Sequence, residues 1–332
     1  MTTATTQTGE HQAPEVVDFH SHWFPPAVVR EQPADGLTPA LRRAWPLLTD
    51  LPAQLELLAA DGGPTTRVLS APLSSIAAMV DVPADELPKR VNEQLAWAVA
   101  EHAGVRALAS VNAFAGDAAV DVAEHAIDEL GLDGLLLDCA QHELLLNAPE
   151  ARPTLVFAAE RGIPVFAHPV NPPSLAARFA DAGGPGILLA RGCESALSTL
   201  ALLRDGVFKE LAGLRVAIAG IGAAALLLAG FLDEEGSGGA VLEGIELHVD
   251  VMGLDPVFVR AIVDILGTDR VLVGSDWPIM PRAATVARVG STLARAGLDG
   301  PGIEAVAAGN ARRLLTPGQA QKPLQQATFD NL

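Results

Sequence analysis

His20 and His22 stand one residue apart in Val16-Val17-Asp18-Phe19-His20-Ser21-His22, and Pro25-Pro26 follows almost at once. β-Branched residues opening the run and prolines closing it predict a short buried strand that passes into a loop. Side chains alternate across a strand, so Asp18, His20 and His22 are expected on one face. Two imidazoles one pleat apart on a rigid element can hold a divalent metal ion. Taken alone, the pair fits one core histidine and one exposed histidine equally well. Two further stretches tip the balance: Ala167-His168-Pro169, and Val273-Gly274-Ser275-Asp276-Trp277-Pro278. Three neutral imidazoles and a carboxylate are a donor set suited to zinc, or to another borderline divalent ion such as manganese.

These residues can meet only if the intervening chain brings three strand ends to one rim. Apolar runs over 65–70, 105–111, 134–138, 163–168, 214–219, 245–250 and 270–275 predict seven more strands after the first. Between them, helical spacing is expected over 50–60, 84–102, 117–130, 150–160, 223–232 and 255–266, with two helices over 174–204 broken at Gly183-Gly184-Pro185-Gly186. Two more helices follow, over 282–296 and 301–315. Strict βα alternation without a composition break predicts one α/β unit, a (β/α)8 TIM barrel, over 15–315. An N-terminal arm over 1–14 and a tail over 316–332 flank it. Barrel active sites lie at the carboxyl ends of the strands, where His20, His22, His168 and Asp276 all fall.

The bulk composition removes several function classes. The chain has 332 residues, of which 22 are basic and 40 acidic, a net charge of −18. Such a balance argues against nucleic acid and against an anionic membrane surface as partners. Cys139 and Cys193 are too few for a disulfide framework, and no basic, apolar leader opens the chain, so a cytoplasmic location is expected. The longest apolar run, 216–231, is about 16 residues, short of the roughly 20 needed to span a bilayer, and is expected to be buried core.

The motifs Asp18-Phe19-His20-Ser21-His22, Ala167-His168-Pro169, 267–278 and Gly309-Asn310-Ala311-Arg312-Arg313-Leu314-Leu315 together resemble the amidohydrolase superfamily. The similarity is to its amidohydrolase-related branch, which includes aminocarboxymuconate-semialdehyde decarboxylase and the resorcylate decarboxylases. The resemblance implies a metal-dependent hydrolase type of barrel with one metal, usually a homodimer, and His20, His22, His168 and Asp276 match its ligand positions. Binuclear members use a carbamylated lysine on strand 4. Here that strand ends in Leu137-Asp138-Cys139, and the only lysines are Lys89, Lys209 and Lys322.

One departure stands out. In the decarboxylases strand 6 ends in a histidine that serves acid–base chemistry, whereas Gly220 occupies that place here. The segment after it, 224–231, is rich in alanine and leucine where relatives carry arginines for the substrate carboxylate. Asp276, His248 in register with Asp250, or His142-Glu143 on the loop after strand 4 could supply the proton instead. Gly220-Ile221-Gly222 also imitates a dinucleotide-binding turn, but it lacks the third glycine and sits at the sixth strand of an unbroken alternation. Trp23, Phe24 and Trp277 flank the ligands and are expected to line a slot for a small-molecule substrate. The resemblance puts non-oxidative decarboxylation of a small aromatic or unsaturated carboxylic acid first. Metal-dependent hydrolysis or hydration of a lactone, amide or C=C bond comes second. A metal-containing barrel that only binds its ligand comes third.

Overall fold

Short runs of β-branched and leucine residues, each closed by glycine, proline or a polar turn, form the strands. They are β1 (Val17–His22), β2 (Thr66–Ser70), β3 (Val105–Ala107), β4 (Ala109–Val111), β5 (Leu135–Asp138), β6 (Ala140–Gln141), β7 (Leu144–Leu145), β8 (Pro164–His168), β9 (Arg215–Ile218), β10 (Glu246–Asp250) and β11 (Val271–Leu272). The computed structural model describes residues 15–29, 37–232, 239–251, 253 and 255–317. The arm expected over 1–14, and the tail beyond 317, lie outside the described residues.

Parallel pairing runs β1-β2-β3 in one sheet and β11-β10-β9-β8-β5-β4 in the other. β3 and β4 are halves of one barrel strand, interrupted at Leu108. The Leu108 N–H donates to the Leu69 carbonyl at 3.1 Å, and the Ala109 N–H to the Gly134 carbonyl at 2.8 Å, which joins the sheets. At the other seam the Phe19 N–H donates to Val273 O (2.9 Å), Asp276 N–H to His20 O (2.8 Å) and His22 N–H to Trp277 O (2.9 Å). The fold is an α/β TIM barrel. β6 and β7 form a small antiparallel hairpin over the fourth barrel strand's end.

The barrel interior is packed, not hollow. Val17, Phe19, Val68, Leu136, Phe166 and Leu272 fill it, and Ala311, Leu314 and Leu315 of the final helix, Asn310–Leu315, pack into the same cluster. Phe19 and Phe166 meet edge to face, with centroids 5.6 Å apart. Full burial of each such ring contributes about 2–3 kcal/mol. Above this floor, at the carboxyl ends, His20, His22 and His168 come together.

Three expectations need revision. Strict alternation in β1 fails: Asp18 pairs with Arg67 but Ser21 with Leu69, so one extra residue bulges into β1 between them. Phe19 and His20 both contact Phe166 as a result, while Asp18 bonds to Ser275 instead of sharing the histidines' cluster. The strand expected over 270–275 is only Val271–Leu272 as a regular ladder, because the following backbone bonds cross to β1 and Asp276 adopts φ 53°. The run 216–231 is not buried throughout: in its second half Leu227 is 69% and Phe231 86% exposed, while Ala225, Leu226 and Ala229 are buried. The glycines at 183–186 open, as expected, a second helix, Gly183–Arg204. Residues Ala180–Arg204 are long and apolar enough to cross a membrane by length and composition, but more than half of that apolar window is buried inside the protein.

Candidate metal centre

The β1 bulge turns His20 and His22 toward His168 at the end of β8. Their rings pack edge to face, with His20–His168 centroids 5.6 Å apart and His22–His168 5.2 Å apart. One nitrogen of each imidazole lies within 4.8 Å of the others, and all three side chains are buried. Asp276 Oδ1 completes the group, 3.0 Å from His22 Nε2 and 3.6 Å from His20 Nε2. Positive φ is costly for a residue with a Cβ, least so for Asp and Asn. The Asp276 N–H bond to His20 O holds this conformation and aims the carboxylate at the histidines.

The tautomers follow from the partners. His20 Nδ1 lies 2.7 Å from Asp250 Oδ2, so it carries the proton and leaves Nε2 as a lone pair. His22 Nδ1 faces two oxygens of Ser70, the carbonyl at 3.2 Å and Oγ at 3.0 Å, and Ser70 Oγ donates to the Ser21 carbonyl. Its Nε2 is therefore also a lone pair, only 3.1 Å from that of His20. His168 goes further: both of its buried ring nitrogens lack any hydrogen-bond partner. Buried polar atoms are seldom left so. Two facing lone pairs, a carboxylate beside them and an orphaned imidazole are costly together unless a cation sits among them. The donor set fits one divalent ion held by His20, His22, His168 and Asp276.

Electrostatics agree. Burial and the nearby Arg191 charge hold His168 well below the ordinary imidazole range, and burial likewise lowers His22, so both stay neutral as ligands must. For His20 burial works downward, but the Asp250 carboxylate, together with Asp276 and Asp18, outweighs it and raises the pKa above 6.5. For Asp276 burial works upward, yet His22, His20 and Arg191 together keep the carboxyl below its usual value and ionised.

Asp250 is a positioning residue that the motifs did not flag. Its Oδ2 fixes His20, and its Oδ1 accepts the Gly220 N–H at 3.1 Å. Gly274 permits this approach: a Cβ there would lie 2.8 Å from both the His20 and Asp250 Cβ atoms. In Asp250→Asn one of the two contacts must become donor against donor, since an amide offers only one acceptor oxygen. Metal affinity is expected to fall about 10–100-fold, measured by chelator competition; an unchanged affinity would remove Asp250 from the account.

Gly220 has a physical reason of its own. A Cβ at this position would sit 2.6 Å from the Asp250 carbonyl oxygen and 3.0 Å from a Phe258 ring carbon. The backbone there is spent on Asp250, and no side chain fits. His248 does not supply the missing group. Its register partner is the interior Ala217, one layer below the cluster, and its Nε2 turns to Glu246 at the strand's start, 3.1 Å away. His142 lies on the β6–β7 turn with φ 55°. Asp138, in register with His168, is occupied by the Ser74 N–H (2.9 Å) and hydroxyl (2.8 Å). Lys89 and Lys209 both lie on helices, and Lys322 falls outside the described residues.

The expected slot residues sit close by but are buried in their own packing. Phe24 meets Trp45 at 6.4 Å and Trp23 meets Trp97 at 6.2 Å. Trp277 lies under the Arg67 guanidinium, 5.0 Å from its centroid. Burial pushes the Asp18 carboxyl beside this pair up to about 6, although Ser275 and Arg67 work against it. Phe166, which the sequence did not single out, is the aromatic ring that packs against both His20 and His168. Two cavities, of about 170 and 490 Å³, have linings that include none of the four donors.

Known proteins share this architecture. A dihydroxybenzoic acid decarboxylase from Polaromonas sp. JS666, with manganese and 2-nitroresorcinol bound, superposes with a TM-score of 0.75 at 19% identity, over 91% of this chain and 97% of that one. A 5-carboxyvanillate decarboxylase from Novosphingobium aromaticivorans, complexed with manganese and 4-hydroxy-3-methoxy-5-nitrobenzoic acid, gives 0.77 at 17%, over 93% and 97%. A 2,6-dihydroxybenzoate decarboxylase from Rhizobium gives 0.73 at 20%, over 92% and 98%. At these identities the likeness is one of fold. The amidohydrolase family model matches residues 17–316, nearly the whole barrel. The chain therefore belongs to the amidohydrolase family and is an enzyme of that family.

Proposed function

We propose that this enzyme is a divalent-metal-dependent, non-oxidative decarboxylase of a small aromatic or unsaturated carboxylic acid. The observation that carries it is the convergence of His20, His22, His168 and Asp276, with His168 left without any internal partner. Zinc is the ion we assign first and manganese second. When bound, the ion supplies Lewis acidity to a substrate oxygen. The protein's own groups do the rest. Asp250 and Ser70 lock the two β1 imidazoles in the tautomer that faces inward. Asp276, ionised and at the same rim, takes a proton from a substrate hydroxyl and returns it to the ring carbon as its bond to the carboxylate breaks and carbon dioxide leaves. Trp23, Phe24 and Trp277, each buried in its own packing, back the slot from behind. A homodimeric state accompanies this assignment on the strength of the family resemblance, a cytoplasmic location on that of the cysteine usage, and a single catalytic unit over 15–315 on that of the unbroken βα alternation.

Gly220 favours a second reading, hydrolysis or hydration of a lactone, amide or C=C bond, because the acid–base histidine of the decarboxylases has no counterpart here. One experiment separates the two. Metal-reconstituted protein is incubated with dihydroxybenzoates, lactones and N-acyl compounds, and carbon dioxide release is followed beside chromatographic detection of the hydrolysis or hydration product. Carbon dioxide from an aromatic acid is the expected result. Hydrolysis of lactones or N-acyl compounds without carbon dioxide release would establish the hydrolase instead, and no turnover with metal bound would leave a binding barrel.

A further inference from the structure

The cavity of about 490 Å³ is walled by the segments that follow β10 and β11 and by the helix Val286–Arg295. Three arginines line it: Arg282 after β11, and Arg288 and Arg295 on the helix. Arg288 and Arg295 are seven residues apart, two helical turns, so they share a face at a spacing of about 10 Å along the axis. Ser291 stands between them and adds an exposed hydroxyl. Asp255 is the one acidic residue in the lining. In a chain with 40 acidic and 22 basic residues, this local excess of positive charge runs against the whole.

Arg288 anchors the groove. Its Nη1 donates to the Arg282 and Ala283 carbonyls, at 3.0 and 3.1 Å, and its Nη2 to the Gly253 carbonyl at 2.6 Å. A half-buried guanidinium thus ties the two loops together. Carbonyls take its protons without cancelling its charge: burial and the neighbouring Arg282 both lower its pKa, although Asp18 works against them. Arg282 and Arg295 are exposed, and among the described residues neither side chain makes a hydrogen bond or ion pair. Asp255 spends Oδ1 on the helix Pro256–Leu266, accepting the Val257 N–H (2.9 Å) and the Phe258 N–H (3.2 Å). Three guanidiniums less one carboxylate leave about two positive charges without a counter-charge in the lining. A phosphate ester carries about 1.5–2 negative charges at neutral pH, and its oxygens accept from several directions at once.

We propose that this groove binds the phosphate group of a small phosphorylated molecule, at a site separate from the metal centre. Its volume falls in the range of small-molecule sites. Neither the site nor its test depends on the reaction assigned above. Metal-loaded full-length protein is titrated calorimetrically with glycerol phosphate and with succinate, a planar dianion of equal charge. One glycerol phosphate per chain is expected, bound at least about tenfold more tightly than succinate. Arg282→Gln and Arg295→Gln are each expected to weaken it about tenfold, the lower end for a charge-assisted hydrogen bond because the groove is open to solvent. Arg288 is left intact, since its loss would release both loops. Arg90→Gln, at an exposed arginine paired with Glu86 on another helix, controls for net charge and should bind as native. His168→Ala should also bind as native. No binding by native protein, equal affinity for succinate, or equal weakening in Arg90→Gln would overturn the proposal. So would lost binding in His168→Ala, which would put the phosphate on the metal.

Discussion

Replacing His168 by alanine is expected to cut divalent-metal affinity by more than about 100-fold, since an inner ligand matters more than the hydrogen-bond partners behind it, whose loss costs about 10–100-fold. Neither nitrogen of His168 has a protein partner to lose. The substitution thus carries a cavity cost common to the metal-free and metal-loaded forms, and no lost hydrogen bond. The distinguishing readout is thermal: added metal should raise the melting temperature of the native protein and leave that of His168→Ala nearly unmoved. An equal metal-induced shift in both would place the ion elsewhere. His20 gives this binding a pH dependence of definite sign. Asp250 holds its pKa above 6.5, so a second proton competes with the cation at Nε2. Affinity is full above that raised value and falls as pH drops through it, about tenfold per unit for one displaced proton.

Asp276→Asn carries the second large expected effect. The amide keeps the shape and one oxygen but can neither accept nor return a proton. Turnover is expected to fall about 10²–10⁴-fold, the usual contribution of a positioned acid–base group. KM should change little, because the three imidazoles remain. Steady-state kinetics at equal metal content check this. A kcat within about tenfold of native would assign the proton to another group.

The order and number of barrel strands were legible because each is an apolar run bounded by turn residues, and because βα alternation leaves few architectures. The meeting of His20, His22, His168 and Asp276 was legible for the same reason: a strand's end fixes its rim. What escaped was anything set by register or depth. The bulge in β1 moves Asp18 away from the histidines, and no local signal marks one extra residue in a pairing. His248 shares the face of Asp250 by alternation, yet sits a layer too deep and turns back to Glu246. Asp250 itself could have been noticed as the carboxylate two residues beyond His248, at the strand's end. Gly220 was visible as a departure, but only the crowding by Asp250 and Phe258 explains why no side chain stands there.

The most direct test of the central claim is anomalous diffraction from crystals of the full-length chain grown with zinc or manganese. One ion per chain, contacted together by His20, His22, His168 and Asp276, is the predicted result. An ion bound elsewhere, or no ion among those four side chains at saturating metal, would contradict it.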